Sequence, residues 1–394
     1  MRNKHLRNKL TVVIFVLIIL LLEILYLGRK TLGKEGVSQF STDSCTKYSE
    51  NYKKSECYEN ILSETLRSQG LDKSFELIDK LYNSDSYFAS DCHGYAHKLG
   101  EATYRLFLEK EDFSLSEKAS YCGYGFYHGF MEILLKAGKD INLAREFCEL
   151  ADRKLSEKTT DAGGACYHGI GHGTVDGGDP QSWGDPNKMI APGIDLCEYV
   201  SDNEERLFRC TTGVFNALEI YFSRGQYNLS LNKEDPFWIC RNQPERYKRS
   251  CYTQMVVAAF NVAGGDFEKS SEFINTIVED KYATEAMAGL VVERVRVGKT
   301  SHRDTVIFCR NLPSRFHEVC ITAFGEGFMK YGPPGLEHVK AIEFCHSSYL
   351  SEQEKKVCFE RVLSLLRIWN TVDEAKRICE SVDTKYQWRN CTYY

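Results

Sequence analysis

The spacing of the cysteines is the feature that most constrains the fold of this chain. All 16 cysteines lie after residue 44, and most form consecutive pairs separated by 11 to 13 positions. These pairs are Cys45–Cys57, Cys197–Cys210, Cys240–Cys251, Cys309–Cys320, Cys345–Cys358 and Cys379–Cys391, with Cys148–Cys166 as a longer version. A disulfide that closes a short loop contributes about 2–4 kcal/mol to stability. We therefore predict a structural disulfide in each pair, and Cys92 and Cys122 remain as candidates for one more.

The segments on either side of the paired cysteines are alike along the chain. An apolar stretch usually ends at the first cysteine, as in EFC at 146–148 and at 343–345. A polar loop follows, and the second cysteine opens a new segment such as CFERVLSLLRIW at 358–369, in which apolar residues recur at helical spacing. The predicted unit is therefore a helix A, a loop and a helix B, with the disulfide joining the end of A to the start of B.

These units recur at a nearly constant distance. The second cysteines fall at 166, 210, 251, 320 and 358, and a cysteine-free unit around 285–295 fills the long gap. A period of about 40 residues of paired helices is typical of an α-solenoid. The arrangement resembles TPR-like and Sel1-like helical repeats in architecture only, because the consensus residues of those families are missing. The predicted fold class is all-α, with an N-terminal transmembrane helix followed by a disulfide-stapled α-hairpin repeat array.

The N-terminus has the sequence of a membrane anchor. Four basic residues precede an apolar run at 10–27, LTVVIFVLIILLLEILYL. Its length as a helix is about 27 Å, enough to cross a thin bilayer. No small-residue cleavage site follows, which favours an uncleaved signal-anchor over a removed signal peptide. We predict a cytoplasmic basic tail at 1–9, the anchor at 10–27 and a linker at 28–44.

The cysteines also predict which side of the membrane the bulk of the chain occupies. An even number of cysteines without any C-x-x-C sequence is typical of a protein oxidised outside the cytoplasm, in a periplasmic, lumenal or extracellular compartment. The net charge is −5, and no basic cluster occurs outside the anchor. Nucleic acid is therefore excluded as an expected partner.

Five of the ten histidines fall in three segments that each begin with a cysteine. These segments are CHGYAHKLGE from Cys92, CGYGFYHGFME from Cys122 and CYHGIGHGTVDGGDP from Cys166. They contain His93, His97, His128, His168 and His172. Two of the histidine pairs have i,i+4 spacing, which places both imidazoles on one helix face. If the three segments are neighbouring B helices, the five side chains can share one metal ion or two ions a few ångströms apart.

The later repeats do not have histidine at the equivalent positions. Six residues after the second cysteine, where His172 follows Cys166, they carry Asn216, Val257, Glu326 and Ser364. Histidine is therefore not required by the packing of the repeat. Nine glycines crowd the histidine-bearing segments, which indicates close backbone approach, irregular turns or room for a ligand.

Carboxylates accompany the histidines at helical spacing. Glu101 follows His97 by four residues, Glu132 follows His128 by four, and Asp176 follows His172 by four. Each is a candidate ligand, hydrogen-bond partner of an imidazole, or general base. Several imidazoles with a carboxylate suit zinc, copper or iron. Ligands of one ion must converge, so we expect the nitrogens of at least three histidines to lie within about 4–5 Å of one another.

Two functions of different classes follow from the sequence. The first is a membrane-anchored, metal-dependent hydrolase or oxidase, with the metal ligands among the five histidines and Glu101, Glu132 or Asp176 as the base. Its site lies in the repeats at 45–189, and the repeats at 190–394 form a scaffold. The second is a non-catalytic solenoid that binds a protein or peptide partner at the membrane surface. Histidines with purely structural roles, or a haem held by two of them, are further alternatives.

Overall fold

The computed structural model divides the chain into two compact units, Met1–Lys54 and Ser55–Tyr394. It describes residues 43–109, 114–138, 140–159, 161–175, 177–297, 301–387 and 391. The predicted tail (1–9), the predicted anchor (10–27) and nearly all of the linker lie outside the described residues. Within the described part, no helix combines the length and the apolar character that a bilayer crossing requires. The row of B helices and the candidate site described below lie in the unit from Ser55 to Tyr394.

The described residues form helices and no strands. In chain order the α-helices are α1 (Asp43–Thr46), α2 (Asn51–Gln69), α3 (Leu71–Ser84), α4 (Ser86–Ser90), α5 (Cys92–Glu109), α6 (Gly125–Ile133), α7 (Ile141–Leu155), α8 (Ala162–Thr174), α9 (Pro186–Val200), α10 (Glu204–Arg224), α11 (Trp238–Arg241), α12 (Glu245–Val262), α13 (Phe267–Asn275), α14 (Asp280–Val297), α15 (His302–Asn311), α16 (His317–Tyr331), α17 (Glu337–Cys345), α18 (Glu352–Trp369), α19 (Val372–Ser381) and α20 (Thr384–Gln387). Short 3₁₀ turns lie before α6, α9 and α16, and a π-helical turn extends α6.

The helices form a repeat array of A and B helices, as the sequence predicts. The B helices α5, α6, α8, α10, α12, α14, α16 and α18 pack each against the next in one continuous row. The A helices α7, α9, α11, α13, α15 and α17 each pack against the B helix that follows them. The cysteine-free unit predicted around 285–295 is confirmed as α13 and α14. The functional division of the array at residue 190 stays a prediction.

The predicted disulfides are present. The bonds with described geometry are Cys92–Cys122, Cys148–Cys166, Cys197–Cys210, Cys240–Cys251, Cys309–Cys320, Cys345–Cys358 and Cys379–Cys391. Cys45 and Cys57 are disulfide-bonded as well. Every cysteine is thus oxidised, which indicates that the chain folds in an oxidising, extracytoplasmic compartment.

The second cysteine of a pair does not open its B helix, contrary to the sequence prediction. Helix α10 begins at Glu204, well before Cys210, and α18 begins at Glu352, before Cys358. The reason is capping: the side chain of Asn203 accepts a hydrogen bond from a backbone amide of α10, and Ser351 forms a capping box with Glu354. The disulfides from Cys148–Cys166 to Cys345–Cys358 therefore each join an A helix to the interior of its B helix, whereas Cys92–Cys122 joins the start of α5 to the turn before α6.

The C-terminal ends of two late B helices return to the first repeats. The hydroxyl of Tyr82 in α3 donates a hydrogen bond of 3.2 Å to the backbone carbonyl of Tyr331, the last residue of α16. The ring of Trp369, the last residue of α18, lies 6.5 Å from the ring of Tyr124. The late part of the array is therefore in contact with the first repeats.

Candidate metal centre

The helices that carry the histidines approach one another very closely, and glycine makes this possible. A Cβ atom built on Gly129 of α6 would lie 1.9 Å from the carbonyl oxygen of His97 in α5. A Cβ atom on Gly171 of α8 would lie 1.8 Å from the carbonyl oxygen of Cys210 in α10. No side chain fits at such distances. Of the explanations that the sequence allows for these glycines, close backbone approach is the one seen at these two positions.

The close packing of α5, α6 and α8 brings all five histidines into one cluster. His128 lies at its centre, with ring centroids 5.0 Å from His93, 4.8 Å from His168, 5.1 Å from His172 and 6.5 Å from His97. The rings of His128 and His172 are nearly parallel, with an interplanar angle of 11°. These two residues hold the same position after their cysteines, and they face each other across neighbouring B helices.

The cluster opens to solvent on one side. His128 and His172 are both 8% exposed, whereas His93 keeps a solvent-exposed edge and His168 is half-buried. The side chains of Glu101 and Glu132 remain 26% and 31% exposed. A small molecule or an ion can therefore reach the carboxylates, while the imidazoles behind them are held in place by packing.

His97 lies between two carboxylates. Its Nδ1 is 3.1 Å from an oxygen of Glu101, and its Nε2 is 3.1 Å from an oxygen of Glu132. Burial alone would lower the pKa of His97, but the hydrogen bonds to Glu101 and Glu132 outweigh burial and raise the pKa to about 9. The imidazole of His97 is therefore an imidazolium when no other cation occupies the site.

His172 faces the same carboxylate from the other side. Its Nδ1 lies 3.8 Å from the second oxygen of Glu132, too far for a hydrogen bond, and is buried without a hydrogen-bond partner among the described residues. Burial lowers the pKa of His172 to about 4, although the charge of Glu132 acts in the opposite direction. A neutral imidazole nitrogen is thus aimed at a carboxylate that already binds His97.

Within the described part of the chain, one set of three side chains offers ligand atoms that all lie within 4.8 Å of one another. It consists of His97, Glu101 and Glu132. The expectation that three imidazole nitrogens converge at this distance is therefore wrong: the tightest donor set has one imidazole and two carboxylates. The structure brings Glu101 and Glu132 to the histidines, and Asp176 lies outside the described residues.

The two remaining histidines bind fixed groups through Nδ1. His93 Nδ1 is 3.0 Å from the carbonyl oxygen of Cys122, and His168 Nδ1 is 2.8 Å from the hydroxyl oxygen of Thr212. Both acceptors lie on the neighbouring B-helix segment, 29 and 44 positions away in sequence. The sequence gives no signal for these partners, except that Cys122 and Cys210 mark the segments that carry them.

Comparison with protein-family models, with curated protein sequences and with solved structures finds no match to this chain.

Proposed function

We propose that the chain is a membrane-anchored, extracytoplasmic metal-dependent hydrolase whose ion is held by His97, Glu132 and His172. One observation carries this proposal: the carboxylate of Glu132 lies between the imidazoles of His97 and His172, and no described residue forms a hydrogen bond with the His172 nitrogen that faces it. Two imidazoles and one carboxylate form a ligand set used by catalytic zinc sites, which keep one further position for water.

The surroundings of His97 support this ligand set. If His97 binds the ion through Nε2, its Nδ1–H continues to donate to Glu101 at 3.1 Å. A carboxylate in that position orients the ring and increases its basicity. Glu101 is then the positioning group or a fourth ligand, and it is also the nearest candidate for a general base. The bound ion supplies an activated water.

The location of the protein is part of the same proposal. The complete oxidation of the cysteines supports an extracytoplasmic compartment. Residues 10–27 serve as the anchor in this proposal, with residues 28–44 as a linker, on the strength of their apolar and basic sequence.

Two alternatives use the same fold. An oxidase with iron or copper at the same ligands is one, because two histidines and a carboxylate also suit non-haem iron. The other is a solenoid without catalysis, in which the repeats at 190–394 bind a protein or peptide. In the described residues the converging donor set lies within 45–189, which favours chemistry there and a scaffold in the later repeats.

Elemental analysis of the full chain, purified under oxidising conditions, tests the proposal. We expect bound transition metal, the loss of about one equivalent in His97→Ala and in His172→Ala, and unchanged content in His346→Ala, an exposed histidine outside the cluster. The metal that is lost should also restore ester or phosphoester hydrolysis after chelation. Unchanged metal content in both cluster variants would refute the site and leave the solenoid alternative.

A further inference from the structure

Three histidines of the cluster form a group separate from the carboxylates. His93, His128 and His168 come from the consecutive B helices α5, α6 and α8, and the ring centroids of the outer two lie 5.0 and 4.8 Å from that of His128. The side-chain nitrogens of His93 and His168 pair with a carbonyl and a hydroxyl, not with a carboxylate. Nothing in the proposed hydrolytic site uses these three residues.

The hydrogen bond of His93 fixes its tautomer. A backbone carbonyl only accepts, so Nδ1 must carry the proton that it donates to Cys122. In the neutral form of this tautomer, Nε2 of His93 has a free lone pair. The adjacent Cys92–Cys122 disulfide holds the accepting carbonyl in position.

The tautomer of His168 follows from a chain of two hydrogen bonds. The hydroxyl of Thr212 donates its single proton to the carbonyl of Arg209 at 2.6 Å. The hydroxyl oxygen can then only accept from His168, so Nδ1 carries the proton and Nε2 has the lone pair.

His128 completes the group. Its ring lies between those of His93 and His168, at centroid distances of 5.0 and 4.8 Å. Imidazoles whose Nδ1–H is held by a carbonyl or hydroxyl and whose Nε2 is free have the hydrogen bonding of metal ligands.

We propose that His93, His128 and His168 bind a second metal ion at an all-imidazole site, beside the ion proposed for His97, Glu132 and His172. The two sites share no ligand, so neither proposal depends on the other. Ligand atoms of one ion must converge, and the nitrogens of these three histidines do not all lie within 4.8 Å of one another, so the rings must turn inward when the ion binds. A neutral site of three imidazoles suits copper, which binds nitrogen ligands more tightly than the other divalent first-row metals do.

Copper titration of the full chain tests this site. In a chain with His97→Ala and Glu132→Gln, we expect one Cu(II) per chain, with an electron paramagnetic resonance spectrum split by nitrogen ligands. Adding His168→Ala should abolish it, and adding His346→Ala should not. A signal from oxygen ligands alone, or one that survives His168→Ala, would overturn the proposal.

Thr212 provides a second test that leaves every imidazole in place. Thr212→Val removes the acceptor that fixes His168, and we expect the affinity for Cu(II) at this site to fall about 10- to 100-fold. Thr253→Val is the matched control, because Thr253 occupies the same place after Cys251 and its hydroxyl also bonds a carbonyl of its own helix. An equal effect in both variants would contradict the assigned role.

The two metal proposals fail in different ways. If only the proposal of the all-imidazole site is wrong, the chain binds one equivalent of metal ion, and this binding requires His97 and His172 but not His168. If only the hydrolytic site is wrong, copper binding still depends on His168 and Thr212, whereas His97→Ala changes neither metal content nor hydrolysis.

Discussion

Glu219 is a buried carboxyl group that the sequence does not mark. It lies in α10, is 4% exposed and accepts a hydrogen bond from Ser223. Burial, together with the nearby Glu293, raises the pKa of Glu219 to about 7. Because nothing in the local pattern distinguishes it from the exposed glutamates of other helices, the free-energy cost of charging it is visible only in the structure.

We expect Glu219→Gln to stabilise the protein at pH 8. The pKa of Glu219 is higher in the folded chain than the ordinary 4.5, so the folded chain binds this proton more tightly than the unfolded chain does. Protonated Glu219 therefore makes its full contribution to the free energy of unfolding below about pH 4.5, and this contribution is lost as the pH rises through about 7. Glutamine removes this cost, and the free energy of unfolding should rise by about 1–3 kcal/mol at pH 8.

Urea unfolding at pH 5 and pH 8 measures the effect. The substitution should make little difference at pH 5 and a clear one at pH 8, while Glu272→Gln, at an exposed position, should change neither value. A Glu219→Gln chain that is less stable than the wild type at pH 8 would show that the charged form is favoured in the folded state.

Much of the candidate site could be predicted at the residue scale, because most of its side chains recur at helical spacing along the chain. The i,i+4 spacing and the expected neighbouring B helices predicted that the five histidines cluster, and the same spacing marked Glu101 and Glu132. The partners Thr212 and the Cys122 carbonyl could not be predicted, because a hydrogen bond between neighbouring repeats depends on helix rotation and separation. Local sequence determines neither.

At the scale of elements, the B helices are defined by two different signals. Apolar residues at helical spacing predict their existence, and this prediction is confirmed. Their first residues were predicted wrongly, because the capping side chains of Asn203 and Ser351 start the helices before the cysteines. The separation of adjacent helices depends on a third signal, the glycines. They allow two helix backbones to approach closely, and this effect cannot be read from the sequence of one helix alone.

We expect Gly171→Ala to destabilise the protein by about 1–3 kcal/mol and to weaken metal binding. The added Cβ of Gly171 meets the backbone of α10 at 1.8 Å, so α8 must move away together with His168 and His172. Gly163→Ala in the same helix is the matched control, because the nearest atoms to its Cβ belong to the side chain of Asp152, at 2.9–3.0 Å, and not to the backbone of a neighbouring helix. Alanine there should destabilise the protein less than Gly171→Ala does, because a side chain can shift where a helix backbone cannot.

Thermal unfolding and the metal content of the two variants test which role Gly171 has. The glycine either allows α8 and α10 to pack closely or leaves room for a ligand. If Gly171→Ala were as stable as Gly163→Ala and kept its metal, close helix contact would not be what positions the histidines.

At the scale of the whole molecule, the contact between the late and the first repeats was not predictable from the repeat pattern. Tyr82 and Tyr331 are 249 positions apart, and a repeat pattern specifies only how each unit packs on its neighbour. A contact over this distance depends on the small rotation between successive units, summed over the row. The all-α class, the disulfides and the A and B helices, in contrast, are local properties, and the sequence was sufficient to predict them.

The membrane anchor is a whole-molecule prediction that cell fractionation can test. A chain lacking residues 1–27, exported by a cleavable signal peptide in their place, should leave the membrane fraction and become soluble with all its cysteines oxidised. The intact chain should resist carbonate extraction, because an apolar helix inserts into the bilayer core. Release of the intact chain by carbonate would contradict an embedded helix.

The order of the cysteine pairs has a consequence for biogenesis. In the bonds of described geometry each cysteine is joined to the next one along the chain, over separations of 11 to 30 residues, and no bond encloses another. Behind an anchor whose N-terminus stays in the cytoplasm, the thiols enter the oxidising compartment in sequence order, and each of these bonds can form as soon as its second thiol emerges. Oxidation in this order would give the native connectivity without disulfide isomerisation.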